Sequence, residues 1–161
     1  MSAINDILNN VPIPKMVKVR QNFESSVLEN VDTELKNQLA NKNFNRKFTP
    51  GMSIAVTAGS RGVANMALTI RTVCDFLKEL GCKPFIIPAM GSHGGSTAEG
   101  QRMILSSFGI TEETMEVPIV SSMEAVCIYK FEDGIKVYVD KNAHEADGIV
   151  VINRVKPHTS F

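Results

Sequence analysis

The fold is decided by residues 52–95. Met52-Ser53-Ile54-Ala55-Val56-Thr57 leads through Ala58-Gly59-Ser60-Arg61-Gly62 into a long stretch from Val63 to Leu80. Phe85-Ile86-Ile87-Pro88 then leads into Gly91-Ser92-His93-Gly94-Gly95. Met52 to Thr57 is a short apolar run preceded by Pro50-Gly51 and followed by a tight turn, the signature of a buried strand. Ala67, Ile70, Val73, Cys74, Leu77 and Leu80 then recur at helical spacing, and Gly81 offers the left-handed residue that commonly ends a helix. Phe85 to Pro88 reads as a second buried strand, and residues from about Thr97 to Phe108 as a second helix. Strand, helix, strand, helix is the pattern of an α/β domain with a mostly parallel sheet flanked by helices.

On the amino-terminal side, Met16, Val17 and Val19 alternate with Lys15, Lys18 and Arg20, which predicts a half-buried strand over Pro14 to Phe23. From Ser26 to about Lys42, Val27, Leu28, Val31, Leu35 and Leu39 predict an amphipathic helix. On the carboxyl side, Val117 to Val120 and Cys127 to Phe131 are strand candidates. Glu132-Asp133-Gly134 is a turn, and Ile135 to Val139 returns as a strand. Gly148-Ile149-Val150-Val151-Ile152 is β-branched and apolar on both faces, as a central parallel strand would be. It runs into the polar loop Asn153-Arg154-Val155-Lys156-Pro157-His158-Thr159.

The 161 residues allow one domain, and a chain of that size buries enough surface to fold without a disulfide or structural metal. Seventeen basic residues cancel seventeen acidic ones, which argues against nucleic acid or an anionic membrane as a partner. No apolar run is long enough for a membrane helix, and Met1 to Asn10 carries no export signal. Cys74, Cys82 and Cys127 are odd in number and lack metal-knuckle spacing, so they read as buried or half-buried free thiols of a cytoplasmic protein. Met66 and Met103 read as core filler, and Thr111-Glu112-Glu113 as a capped helix start.

In open α/β sheets, ligands bind outside the carboxyl ends of the strands. Three polar loops follow predicted buried strands here: Gly59 to Gly62 with Arg61, Gly91 to Ser96 with His93, and Asn153 to Thr159 with Arg154, Lys156 and His158. Parallel strands would place all three on one rim. A lone loop histidine is commonly just a surface residue, and His144 reads that way, on a solvated helix or turn. Two histidines on neighbouring loops favour function, since imidazole titrates near pH ~6.5 and suits proton transfer. Arg61 opposes the dipole of the helix it precedes, and a bound carboxylate would relieve that while matching the guanidinium fork. The glycines and serines of both loops suit backbone anion binding, though neither loop spells a dinucleotide fingerprint or P-loop.

These motifs, with Pro88-Ala89-Met90 and Glu145 to Thr159, resemble the nickel-pincer lactate racemase family over about Pro14 to Phe161. The resemblance implies a two-domain enzyme whose amino-terminal half, residues 1–161, is a Rossmann-like α/β domain. It implies a cleft active site and a nickel-pincer nucleotide as cofactor. The implied reaction interconverts the stereoisomers of a small 2-hydroxy acid by proton abstraction and reversible hydride transfer. His93 and His158 match the two catalytic histidines and Arg61 the substrate-carboxylate arginine, with Ser60, Gly91, Gly94 and Lys156 as cofactor-binding candidates. Ala58 stands where the family has an acidic residue that touches the cofactor. The family's cofactor-attaching lysine and nickel-binding histidine lie downstream of Phe161, so no metal ligand is assigned here. The chain is therefore expected to be a piece of a longer protein that lacks its carboxyl-terminal domain. Alone it is expected to be inactive and to retain no cofactor, and a homo-oligomer is possible. The competing expectation is a non-catalytic α/β module that captures an anionic nucleotide or metabolite.

Overall fold

The structure, a computed structural model, describes residues 11–12, 14–23, 27–40, 42–60 and 63–154. Its centre is β1 (Ser53–Ala58), paired in parallel on one side with β2 (Lys83–Pro88) and on the other with β5 (Gly148–Val150). The three-stranded sheet has the order β2-β1-β5. A separate antiparallel hairpin joins β3 (Ala125–Lys130) to β4 (Lys136–Asp140). The helices are α1 (Val31–Leu39), α2 (Lys42–Asn45), α3 (Met66–Glu79), α4 (Ala98–Ser107), α5 (Glu112–Met115) and α6 (Lys141–Glu145). This is the α/β, Rossmann-like arrangement of a parallel sheet flanked by helices that the sequence predicts.

Alternation along β1 explains both faces of the sheet. Ile54, Val56 and Ala58 enter the main core with Ile70, Val73, Cys74 and Leu77 of α3 and Ile86 of β2. Ala55 faces the other way, into a smaller cluster with Ile87 and Ala143 of α6. A strand buried on both faces must be apolar, and β1 is, apart from half-buried Ser53 at its start and Thr57. The helix ends follow local chemistry. Gly81 takes φ +79°, its N–H donates to Lys78 O and that of Cys82 to Leu77 O, which together form a Schellman stop. Thr111 and Thr114 form a capping box at α5, as the sequence suggests. Arg71 on α3 ties the helical layer together, pairing with Asp75 at 2.6 Å and Glu116 at 2.8 Å and donating to Thr114 O at 2.7 Å.

Several expectations are corrected. Pro14 to Phe23 forms no strand, and Met16 is 89% exposed. Alternation alone does not make a strand without a ladder to join, and the outer edge of β2 is met instead by Ile119, with Ile86 N donating to Pro118 O and Val120 N to Ile86 O, both at 2.8 Å. That single bridge is all that Val117 to Val120 contributes as a strand. The first helix begins at Val31, because the Asn30 side chain accepts from Thr33 N and caps it there, leaving Val27 and Leu28 exposed. Among the described residues β5 lies at the edge of the sheet, with Val150 and Ile152 packed on the core but Ile149 47% and Val151 69% exposed. Met103 lies on the outer side of α4 and is 60% exposed, whereas Met66 is buried. Cys127, on the hairpin, is exposed. Cys74 and Cys82 are buried, and burial pushes the Cys74 thiol up to about 12, the opposite of a nucleophile. Among the described residues no helix is long and apolar enough to cross a membrane.

Asp147 fastens β5 to β1. Its carboxylate accepts from Ser53 N and Ser53 Oγ, each at 2.8 Å, while its own N–H donates to Ser53 O at 3.0 Å. The backbone and hydroxyl donors of Ser53 hold its carboxyl below the usual range. A lowered carboxyl stabilises the fold above the unfolded-state pKa and loses that effect as pH falls through the folded-state value. The stability difference between wild type and Asp147→Ala should therefore be largest near pH 7 and shrink as pH falls below the ordinary Asp range of about 3.9, as urea melts across an acid series would show.

Candidate functional site

Because β1, β2 and β5 run in parallel, their carboxyl ends, Ala58, Pro88 and Val150, open onto one rim. Register puts Ala58 opposite Pro88, and Ala89 N donates to Ala58 O at 2.8 Å, so the first two loops leave the sheet side by side. At that junction the Nδ1 atom of His93 lies 2.5 Å from the Ser60 Oγ. Both residues are half-buried, and 33 positions separate them along the chain.

The glycine-rich loop is shaped by the first turn of α4. Gly94 has φ +67°, and a Cβ there would come within 2.5 Å of the Gly100 carbonyl carbon. A Cβ on Gly100 would in turn overlap the Gly94 carbonyl oxygen. Two residues without side chains thus let loop and helix touch backbone to backbone. Thr97 caps α4 by accepting from Gly100 N at 3.0 Å and donates to Gly94 O at 2.9 Å. Buried Gln101 donates its amide to Gly91 O at 2.9 Å. The carbonyls of Gly91 and Gly94, on either side of His93, are therefore both satisfied from α4. On the open side, no atom of the described residues, chain neighbours aside, lies within 4 Å of where a Cβ would stand at Gly59, Gly91 or Gly95, which leaves that backbone free of described side chains.

The third loop is tied to the same strand. Thr57 Oγ1 accepts from Ile152 N at 2.9 Å and donates to Ile152 O at 3.4 Å, setting the direction of the chain as it leaves β5 toward exposed Asn153 and Arg154. Sequence reasoning missed both Thr57 and Gln101 as site-building residues. The available signal was a lone hydroxyl inside an apolar strand and an amide in the first turn after a glycine loop.

Of the residues expected at the site, Ser60 and His93 come together, Gly91 and Gly94 frame the histidine, and Arg154 stands at the rim. Arg61, Lys156 and His158 lie outside the described residues. His144 is exposed on α6, in line with its reading as a solvated residue. Ala58 is fully buried against the main core and presents no side chain to the rim. Among the described residues no group of three or more His, Cys, Asp or Glu could hold a metal ion. What the site offers is an imidazole with one nitrogen engaged by a hydroxyl, suited to proton transfer, beside open backbone suited to an anion.

The close approach of Gly94 and Gly100 should be intolerant of any side chain. Gly100→Ala is expected to lose about 1–3 kcal/mol by overpacking, read by thermal unfolding.

Compared with known families, residues 8–161 match the family model of the lactate racemase N-terminal domain. No curated protein and no solved structure gave a match. Since the match takes in all but residues 1–7, and the strand ends that lead into the three loops open on one rim of a parallel sheet, the chain belongs to the lactate racemase family through this N-terminal domain.

Proposed function

We propose that the chain is the N-terminal half of a two-domain racemase or epimerase that depends on a nickel-pincer nucleotide and interconverts the stereoisomers of a 2-hydroxy acid. The observation that carries this reading is the placement of His93, held by Ser60, on the strand-end rim of a lactate racemase N-terminal domain. The described residues do not fit a nickel site, because they bring no ligand set together. They fit the substrate and the anionic parts of the nucleotide, through the open backbone at Gly59, Gly91 and Gly95. Any nickel ligands and covalent attachment then belong to residues outside the described ones. When bound, the cofactor supplies a reversible acceptor for the α-hydrogen as hydride.

The chain's own residues handle the other proton. His93 takes the hydroxyl proton at Nε2, the nitrogen not engaged by Ser60, as the carbinol carbon flattens toward a 2-keto acid. With the cofactor bound, the α-hydrogen would be restored on the other face of the carbon, and the protein's part is to give a proton back to the oxygen, which yields the opposite enantiomer. The hydroxyl of each enantiomer points in a different direction, so a second acid/base group is required, and His158 takes that role. Arg61 holds the carboxylate through its guanidinium fork, which keeps the substrate bound while its keto group turns about the bond to the carboxylate and brings its oxygen from one histidine to the other.

In the complete, cofactor-loaded enzyme, His93→Ala and His158→Ala are expected to lower kcat about 10²–10⁴-fold, as loss of a positioned acid/base does, with little change in KM. Conversion of each enantiomer of a 2-hydroxy acid, followed by chiral chromatography, measures this. Variants that altered only ligand affinity would instead mark an anion-binding module without chemistry.

A further inference from the structure

Ser60, expected from the sequence as a cofactor-binding residue, has its hydroxyl within hydrogen-bonding distance of Nδ1 of His93. We propose that Ser60 is a positioning residue: its Oγ accepts the Nδ1 hydrogen of His93 and so keeps the neutral ring in the tautomer whose Nε2 lone pair is free to take a proton. The inference rests on the reading of His93 as a base, and it goes further by saying what makes the ring one.

A neutral imidazole carries one N–H, and the partner of one nitrogen decides the state of the other. A serine hydroxyl can donate or accept, so the distance alone leaves two arrangements. If Ser60 donated to Nδ1, the hydrogen would sit on Nε2, and His93 could give a proton there but not take one. The hydroxyl would also have to turn round each time the ring became imidazolium, when both nitrogens donate. If Nδ1–H donates to Ser60 Oγ, the same hydrogen bond serves both states. It becomes charge-assisted, and stronger, when Nε2 gains the substrate proton. When that proton returns to substrate the ring is neutral again, with Nδ1–H still in place, and Ser60 neither gains nor loses a proton over the cycle.

The surroundings favour a fixed partner. Ser60 stands two residues past the end of β1 and His93 five past the end of β2, and the Ala89–Ala58 hydrogen bond fixes those ends relative to each other. Gln101 and Thr97 hold the loop on both sides of His93. Half-burial of both partners limits competition from water. A histidine side chain free in water favours the hydrogen on Nε2, so the arrangement proposed runs against the ring's own preference and depends on Ser60.

The test is nitrogen NMR on the 161-residue chain, at a pH high enough that the ring signals no longer change with pH, with His93 signals assigned by their loss in His93→Gln. Wild type is expected to carry the hydrogen on Nδ1, and Ser60→Thr, which keeps the hydroxyl, to do the same. Ser60→Ala is expected to move the tautomer ratio toward Nε2–H by about 2- to 12-fold, the range one net hydrogen bond supports. A wild-type ring protonated on Nε2, or a folded Ser60→Ala with an unchanged ratio, would overturn the proposal. If Ser60→Ala fails to fold, the wild-type tautomer alone decides. Because this readout needs no turnover, it separates from the racemase reading. A correct tautomer with no effect of His93→Ala on kcat sinks only the racemase reading, and the converse sinks only the role of Ser60.

Discussion

Parallel pairing of β1 along both of its edges is the constraint on which the rest of the structure depends. Because β2 and β5 run in the same direction as β1, residues far apart in the chain leave the sheet at a common rim. An antiparallel neighbour would have sent one of those loops to the opposite end, more than 15 Å away at about 3.3 Å per residue over six residues. The same pairing demands a strand with no exposed face, which explains the unbroken apolar character from Ile54 to Val56 and the buried Ala58.

The rim is built mostly from backbone, and from small polar groups that orient backbone. Gly94 and Gly100 meet without side chains, Thr97 and Gln101 satisfy carbonyls on either side of His93, and Thr57 fastens the chain leaving β5. Hydrogen bonds of this kind contribute modestly to stability, but leaving a buried amide such as that of Gln101 without its acceptor would be costly. Their value here is geometric: they narrow the positions open to one imidazole. Glycine serves twice over, since the absence of a Cβ permits both the close packing of Gly94 on α4 and the open approach at Gly59 and Gly91.

The remainder of the described chain supports that rim from behind. α3 and α5 are joined by the Arg71 network, and α1 docks on α3 through the Thr72 hydroxyl, which donates to Asp32 at 2.7 Å. Most of these groups are at the surface, where ion pairs add little. The main core of Ile70, Val73, Leu77, Ile86 and Leu105 carries the packing.

Periodicity and glycine placement were enough to read β1, β2, α3 and α4, the hairpin, the capped α5, and the rim itself, because each of those features is written in local sequence. The same local reasoning overreached at Pro14 to Phe23, where alternation had no ladder to join, and at β5, where an apolar run proved to be an edge among the described residues. It also placed Cys127 and Met103 inside, because solvent exposure depends on what other elements cover, and neither residue is covered here. The sequence by itself determined the α/β class and the two loops that carry Ser60 and His93. Only the tertiary structure decided that the Ser60 hydroxyl meets the His93 ring, and that Thr57 and Gln101 hold the loops. Those contacts join residues 10 to 95 positions apart, and their geometry follows from strand register and helix packing, which no local pattern encodes.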